Sequence, residues 1–358
     1  MFEVCRRFVI FVFLSGRAHS AEIYTAFEQA YRHMYELFEC VRAPETLGTT
    51  IKHNAIFMKQ CDFVGVGFCS NDDISLLPEI PFDSKVKIIT HTIQGGGPAA
   101  TSTVAAARLG MSAGFIGVVG DDDAGKRILS DFESEKVSTE AMVVRRGKTS
   151  AVAYCWIDQP TGKRSVAWER GDAPELDASD VSLELVANAR ILHIDGHNPV
   201  GALSAAKKAR ECGVLVNFDA GTIRDGVQEL LPYADILIAS EAFARGWTKR
   251  ENFEDALKVL AEYGARVVGC TMGAEGSIMY SNGEFVRCPT FNHIKPVDTT
   301  GCGDVFHTGF AVRYLETDDL FECQRFGAAV SSLKCLKLGG RAGIPTRSQV
   351  DEFLAKNK

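Results

Sequence analysis

From Cys61 onward, short runs rich in β-branched and aromatic residues alternate with segments of helical periodicity. Strands are expected at 62–66, 114–119, 191–194, 214–218, 236–238, 266–270 and 277–280, and helices at 99–109, 124–135, 200–211, 225–231, 253–263 and 304–315. A strand joined to the next strand by a helix cannot pair antiparallel through a tight turn. The pattern therefore argues for an α/β fold: a mostly parallel sheet with helices on both faces. Residues 85–94 and 149–170 break the rhythm. Ala151–Ile157 and Arg164–Glu169 flank the turn sequence Gln159-Pro160-Thr161-Gly162, so these segments read as antiparallel strands forming a small β lid over a pocket. No internal repeat or low-complexity linker interrupts residues 61–358, which read as one domain with an insertion.

Residues 1–60 read differently. Ile23, Phe27, Tyr31, Met34, Phe38 and Val41 recur at helical steps before Pro44, predicting an amphipathic helix in an N-terminal extension. Phe8–Leu14 after Arg6-Arg7 has the outline of a short signal sequence, but Glu3 stands in front of it and the apolar run is only seven residues long. No stretch nears the roughly 18 apolar residues of a membrane span. The 11 cysteines form no C-x-x-C pair, which fits a reducing, cytoplasmic setting better than a disulfide framework or a zinc site. Thirty-nine Lys and Arg against 46 Asp and Glu leave a formal charge of −7, the wrong balance for a protein that neutralises nucleic-acid phosphates.

Two glycine-rich stretches compete as phosphate sites. Gly120-Asp121-Asp122-Asp123-Ala124-Gly125-Lys126-Arg127 falls short of the P-loop pattern: Arg127 stands where a magnesium-binding hydroxyl belongs, and three carboxylates would oppose a phosphate. It reads instead as a helix start. Residues 298–310, Asp-Thr-Thr-Gly-Cys-Gly-Asp-Val-Phe-His-Thr-Gly-Phe, are better suited. Small residues at Thr300–Gly303 let helix N-terminal amides approach an anion, and Asp304 sets a carboxylate beside them, placed to take a proton from an attacking hydroxyl. That pairing points to phosphoryl transfer.

The stretch Asp298–Phe306 resembles the C-terminal signature of the ribokinase-like (PfkB) carbohydrate kinases, with Cys302 in place of their usual Ala. Gly95–Ala100 and Ala107–Gly110 resemble the N-terminal signature, Phe115–Asp122 the strand and turn after it, Thr271–Gly276 the nucleotide loop, and Gly339–Pro345 the closing loop. The likeness spans about residues 62–355. It implies an ATP-dependent kinase acting on a primary hydroxyl of a furanose or ketose sugar. Asp304 would be the general base, and the Gly301, Cys302 and Gly303 amides the anion hole. Thr271, Gly273, Gly276, Ser240 and Glu241 would bind Mg2+-ATP. Asp72 (just past the first strand), Gly96, Gly97, Thr101 and Asp195 would bind the sugar. Asp298, Thr300, Gly339 and Gly343 would hold a monovalent cation such as K+, and a homodimer through the lid is expected. DVFH at 304–307 with GGRAGIP is similar to the sulfofructose kinase branch, and HIDGHN to ketohexokinases. A sulfonate would call for an arginine near His197; the chain offers none adjacent to it, though Lys85 could meet an anionic group. A nucleoside kinase of the same family and a non-catalytic sugar-binding relative are the alternatives.

Overall fold

The computed structural model describes residues 61–357, so the helix predicted over Ile23–Val41 and the signal-like run Phe8–Leu14 lie outside the described residues. The strands are β1 Phe63–Val66, β2 Ser70–Leu77, β3 Thr90–Gly96, β4 Ala113–Ile116, β5 Val118–Gly120, β6 Val143–Arg145, β7 Val152–Asp158, β8 Arg164–Glu169, β9 Ile191–Ile194, β10 Leu215–Ala220, β11 Ile236–Ser240, β12 Val267–Thr271, β13 Ser277–Ser281 and β14 Glu284–Cys288. The helices are α1 Pro98–Arg108, α2 Asp123–Ser134, α3 Leu183–Ala187, α4 Pro199–Cys212, α5 Val227–Leu230, α6 Glu241–Thr248, α7 Phe253–Ala261, α8 Cys302–Tyr314, α9 Leu320–Lys334 and α10 Arg347–Lys356.

Eight strands form the central sheet in the order β14-β13-β12-β11-β10-β9-β1-β4. All pair in parallel except β13 and β14, which close one edge as an antiparallel hairpin. Alternate residues of each strand enter different cores: Val64, Leu192, Val216 and Leu237 pack with Ala205, Phe243 and Leu257 of α4, α6 and α7. Phe63, Ile191, Ile236 and Ile238 pack against Phe306 and Phe310 of α8. Burial on both faces is why these strands read as unbroken apolar runs. The run expected as one strand at 114–119 splits at Gly117, and β5 leaves the main sheet to pair with β6.

A second, four-stranded sheet, ordered β3-β2-β7-β8, forms the lid. Its strands overlap the segments singled out in the sequence, and β7 and β8 form the expected antiparallel hairpin, but β3 begins only at Thr90, and β7 also pairs in parallel with β2. β2 itself escaped the sequence reading because Ser-Asn-Asp-Asp looks like a loop; Asp72, just past β1 as expected, lies within this second strand. Paired positions share a face, so Asp72, Ala153 and Trp168 look one way, and Asp73, Tyr154 and Ile93 the other. The P-loop-like stretch is a helix start: Asp122 caps α2 by accepting from the Gly125 amide at 2.8 Å and also holds Ser150.

Candidate active site

The parallel strands deliver their C-terminal ends to one edge of the sheet, where α/β folds bind ligands. Thr271 ends β12 and is in register with Ser240 at the end of β11; Asp219 sits near the end of β10, and Asp195 follows β9. The N-termini of α1 and α8 meet above this edge. Ser102 of α1 donates to the Asp304 carbonyl at 3.0 Å, and Thr308 of α8 donates to the Ser102 carbonyl at 3.0 Å.

Gly301 caps α8 in the left-handed region, φ 77°, and a Cβ there would press on the Gly340 carbonyl and on Thr101. Thr101 thus stands between the signature turn and the closing loop, where it is buried. The Cys302 amide departs from the expected anion hole, since it donates to the Thr299 carbonyl at 3.2 Å. The amides of Gly301, Gly303 and Asp304 have no acceptor among the described residues. Space lies open around Gly303, where a Cβ would meet nothing. Cys302 turns its thiol to α9, donating to the Ser331 carbonyl.

Asp304 lies in the first turn of α8 and makes no side-chain hydrogen bond among the described residues. Its deep setting, reinforced by the nearby Asp219 carboxylate, pushes its carboxyl up to about 7. Asp219 is pushed up to about 8 by burial, then by Asp195. Beneath the two acids, the His307 imidazole lies 3.6 Å from Asp219 and is pushed down to about 4 by burial, so it stays neutral. A base poised near neutrality beside unengaged amides is the arrangement general base catalysis of phosphoryl transfer requires. Part of the rise in Asp304 comes from the Asp219 charge, so losing that charge lowers Asp304. In the wild type, kcat should fall as pH drops through about 7, because a protonated carboxyl accepts no proton. Asp219→Asn should move that acidic limb down by roughly half a unit to one unit, read from kcat–pH profiles.

The residues expected to bind the sugar converge from three elements. Asp72 is buried, accepts from Ser70 Oγ at 2.6 Å, and is pushed up by burial. It lies directly against Gly96, where a Cβ would fall 2.0 Å from its carboxylate. Gly97, φ 93°, lets α1 start hard against the Phe68 carbonyl. Asp195 does not present free oxygens: Oδ2 accepts the Phe68 and Ala99 amides, both at 3.0 Å, and Oδ1 the His197 amide at 2.9 Å. Its geometry makes it a fastener of the loops around the pocket.

The Thr271–Gly276 loop, expected to hold the nucleotide, closes on itself through Met272 N–H to the Gly276 carbonyl at 2.8 Å. Gly276, φ 92°, is fixed by the Cys288 carbonyl, which a Cβ would meet at 2.1 Å. Ser240 caps α6, accepting from Phe243 and donating to Gly221, while Glu241 in its first turn is exposed. Asp298 is buried, with both carboxylate oxygens engaged by the Thr300 and Gly339 amides. Gly343 packs against the Lys334 carbonyl, where a Cβ would fall at 2.0 Å.

Several site residues were not legible in the sequence. Arg341 of the closing loop is buried, binds the Gly96 carbonyl at 3.1 Å and Asp131 at 2.5 Å, and so ties that loop to the end of β3. Gln94 accepts from the Arg341 and Ala342 amides. Arg164 of the lid bonds Thr299 in the signature turn at 3.5 Å. Arg170 corrects the reading that no arginine lies near His197. Its Nη1 is 3.5 Å from His197 Nδ1, and its guanidinium lies over the Phe68 ring, which stacks on His197. Its ion-pair partner is Glu175, at 2.8 Å. Arg224 belongs to the same cluster by its charge interactions, and its Nε is buried without a partner. The signal for Arg170 was present only as a charged residue ending the lid hairpin.

Fold and site together define a phosphotransferase: a helix N-terminus with unengaged amides and a near-neutral carboxylate, at the C-terminal edge of a parallel sheet and beneath a β lid. The model of the pfkB family carbohydrate kinases matches residues 62–347, and the chain belongs to that family, the ATP-dependent carbohydrate kinases of ribokinase-like fold. It is 30% identical over 293 residues to an ATP-dependent ribose-1-phosphate kinase of Halopiger xanaduensis, covering 80% of this chain and 96% of that protein. It is 27% identical to a nucleoside kinase of Methanothermobacter thermautotrophicus, covering 82% and 96%. Among solved structures, Arabidopsis thaliana ribokinase complexed with ribose and ATP superposes with a TM-score of 0.72 at 26% identity, covering 83% and 99%.

Proposed function

We propose that this kinase transfers the γ-phosphoryl group of ATP to a primary hydroxyl of a furanose or ketose sugar, with Asp304 as the base. The observation that carries the reading is the near-neutral Asp304 carboxyl at the head of α8 beside amides without acceptors. The sugar hydroxyl gives its proton to Asp304 as its oxygen attacks phosphorus and ADP departs; the Gly301 and Gly303 amides and the helix dipole take up charge on the moving phosphoryl. Asp72, with Gly96 and Gly97 alongside, would hold sugar hydroxyls. The Thr271–Gly276 loop and Ser240 would hold the nucleotide. No cluster of three acidic, His or Cys side chains suited to a metal occurs among the described residues, so Mg2+ would be carried mainly by the ATP phosphates, with Glu241 the nearby carboxylate. No helix among them is long and apolar enough to cross a membrane, and no disulfide links their cysteines, which suits a reducing cytoplasm. ADP release measured across neutral sugars, sugar phosphates and nucleosides tests the assignment; turnover of none of them overturns it.

Arg170 and Arg224 beside His197 favour a sugar that carries a phosphate or sulfonate away from the reacting hydroxyl, since an unpartnered buried guanidinium Nε wants an anionic acceptor. Arg170→Gln should then lower kcat/KM for the anionic sugar by roughly tenfold to a hundredfold, and for its neutral counterpart by less than about twofold. Equal losses on both would remove the anion from the proposal.

The lid leaves Tyr154 50% and Trp156 42% exposed on its outer face beside Ile93, a surface suited to a second copy of the chain. Sedimentation should show a dimer that Trp156→Glu converts to monomer; a monomeric wild type at assay concentration would rule the dimer out.

A further inference from the structure

The family resemblance puts a monovalent cation beside the anion hole, held by Asp298, Thr300 and carbonyls of the Gly339–Gly343 loop. The residues present do not fit one. Both carboxylate oxygens of Asp298 are engaged, Oδ1 by the Thr300 amide at 2.8 Å and Oδ2 by the Gly339 amide at 2.7 Å. The positive charge at this point comes from the chain itself. Lys334, the last residue of α9, is fully enclosed, and its Nζ donates to the Asp298 carbonyl at 3.1 Å. The next residue reinforces the contact, as the Cys335 carbonyl accepts the Val297 amide at 2.8 Å and the Asp298 amide at 3.2 Å. The closing loop packs over the same spot, because Gly343 leaves no room for a Cβ beside the Lys334 carbonyl.

A buried ammonium is costly without compensation, and no acid lies within ion-pair distance of Lys334 among the described residues. Its compensation is local: the Asp298 carbonyl, the negative end of the α9 dipole, and the carboxylate of Asp298 on the same residue. A free cation seeking these oxygens would face a fixed like charge. Of the polar side-chain atoms at this point only the Thr300 hydroxyl is left buried without a partner, and beside the Lys334 ammonium one hydroxyl adds little to a cation's shell.

We propose that the Lys334 ammonium takes the place of the monovalent cation, so that the anion-hole turn is organised by a built-in charge and the kinase does not respond to K+. The inference rests on the kinase reading for its functional half, so the first measurement is independent of turnover. The wild-type thermal midpoint should be the same, within about 1 °C, in KCl, NaCl, CsCl and tetramethylammonium chloride at equal ionic strength; a saturable rise specific to K+ would overturn the proposal. Where a sugar is turned over, kcat should likewise differ by less than about twofold among these salts, and a several-fold activation by K+ would overturn it. Lys334→Met, which keeps the volume and removes the charge, should lower both midpoint and kcat in tetramethylammonium chloride, with K+ restoring part of each. A variant as stable and active as the wild type without any small cation would show that no charge is needed there. Absence of turnover on every sugar, with the cation-blind midpoint retained, would count against the kinase assignment and leave the structural half standing.

Discussion

Asp304→Asn should reduce kcat by about 10²–10⁴-fold or more while leaving the KM for sugar within a few-fold. The expectation follows from what the side chain does and does not touch. Asp304 makes no side-chain hydrogen bond among the described residues; its contacts to Ser102 and Thr308 run through its carbonyl, which Asn retains. The substitution is nearly isosteric and removes a carboxylate whose ionised form its surroundings oppose, pushing it up to about 7. Folding is therefore not the casualty. The sign for stability can be stated: an acid whose folded pKa is raised makes the protein less stable as pH climbs from the ordinary carboxylate range through about 7. The variant should accordingly unfold at a temperature equal to or above that of the wild type at pH 8. A kcat within tenfold of wild type, with the midpoint unchanged, would show that the proton leaves the sugar by another route.

Asp195→Ala should have the largest effect on stability, a loss of about 3–5 kcal/mol in denaturant unfolding. Three amides, those of Phe68, Ala99 and His197, depend on this one carboxylate. They belong to the loop after β1, the first turn of α1 and the loop after β9, none of which has another bond to replace it. Removing this acceptor, itself only 5% exposed, strands three donors. Asp195→Asn is no rescue, since its NH2 group would face a backbone N–H. Catalysis should suffer through KM, because Gly97 and Phe68 flank the proposed sugar pocket. Unchanged stability in the alanine variant would mean that water serves these amides, contradicting the enclosed geometry.

The alternation of strands and helices was legible because parallel strands buried on both faces carry no polar side, and Ile191–Ile194 was placed to the residue. The turn Thr300–Gly303 and Asp304 were legible because small residues followed by an acid, at the head of a helix, form a local pattern. β2 was not: its two aspartates and flanking serine and asparagine suppress the strand signal, and only pairing with both β3 and β7 makes it a strand. The antiparallel hairpin of β7 and β8 was legible from its turn, whereas the parallel pairing of β7 with β2 was not, since β2 had not been seen.

The sequence by itself determined the class of fold, the helix-head carboxylate and the glycines that let backbone approach an anion, since each depends on neighbours within about ten residues. Tertiary structure alone decided what the charged side chains face. Arg170 meets His197 across 27 residues, Lys334 meets Asp298 across 36, and Arg341 meets Gly96 across 245. Asp195 turned from an expected sugar ligand into an acceptor for three amides. Short-range periodicity records which surface of an element is buried, whereas the partner of a buried charge is set by whichever distant segment the fold brings to it.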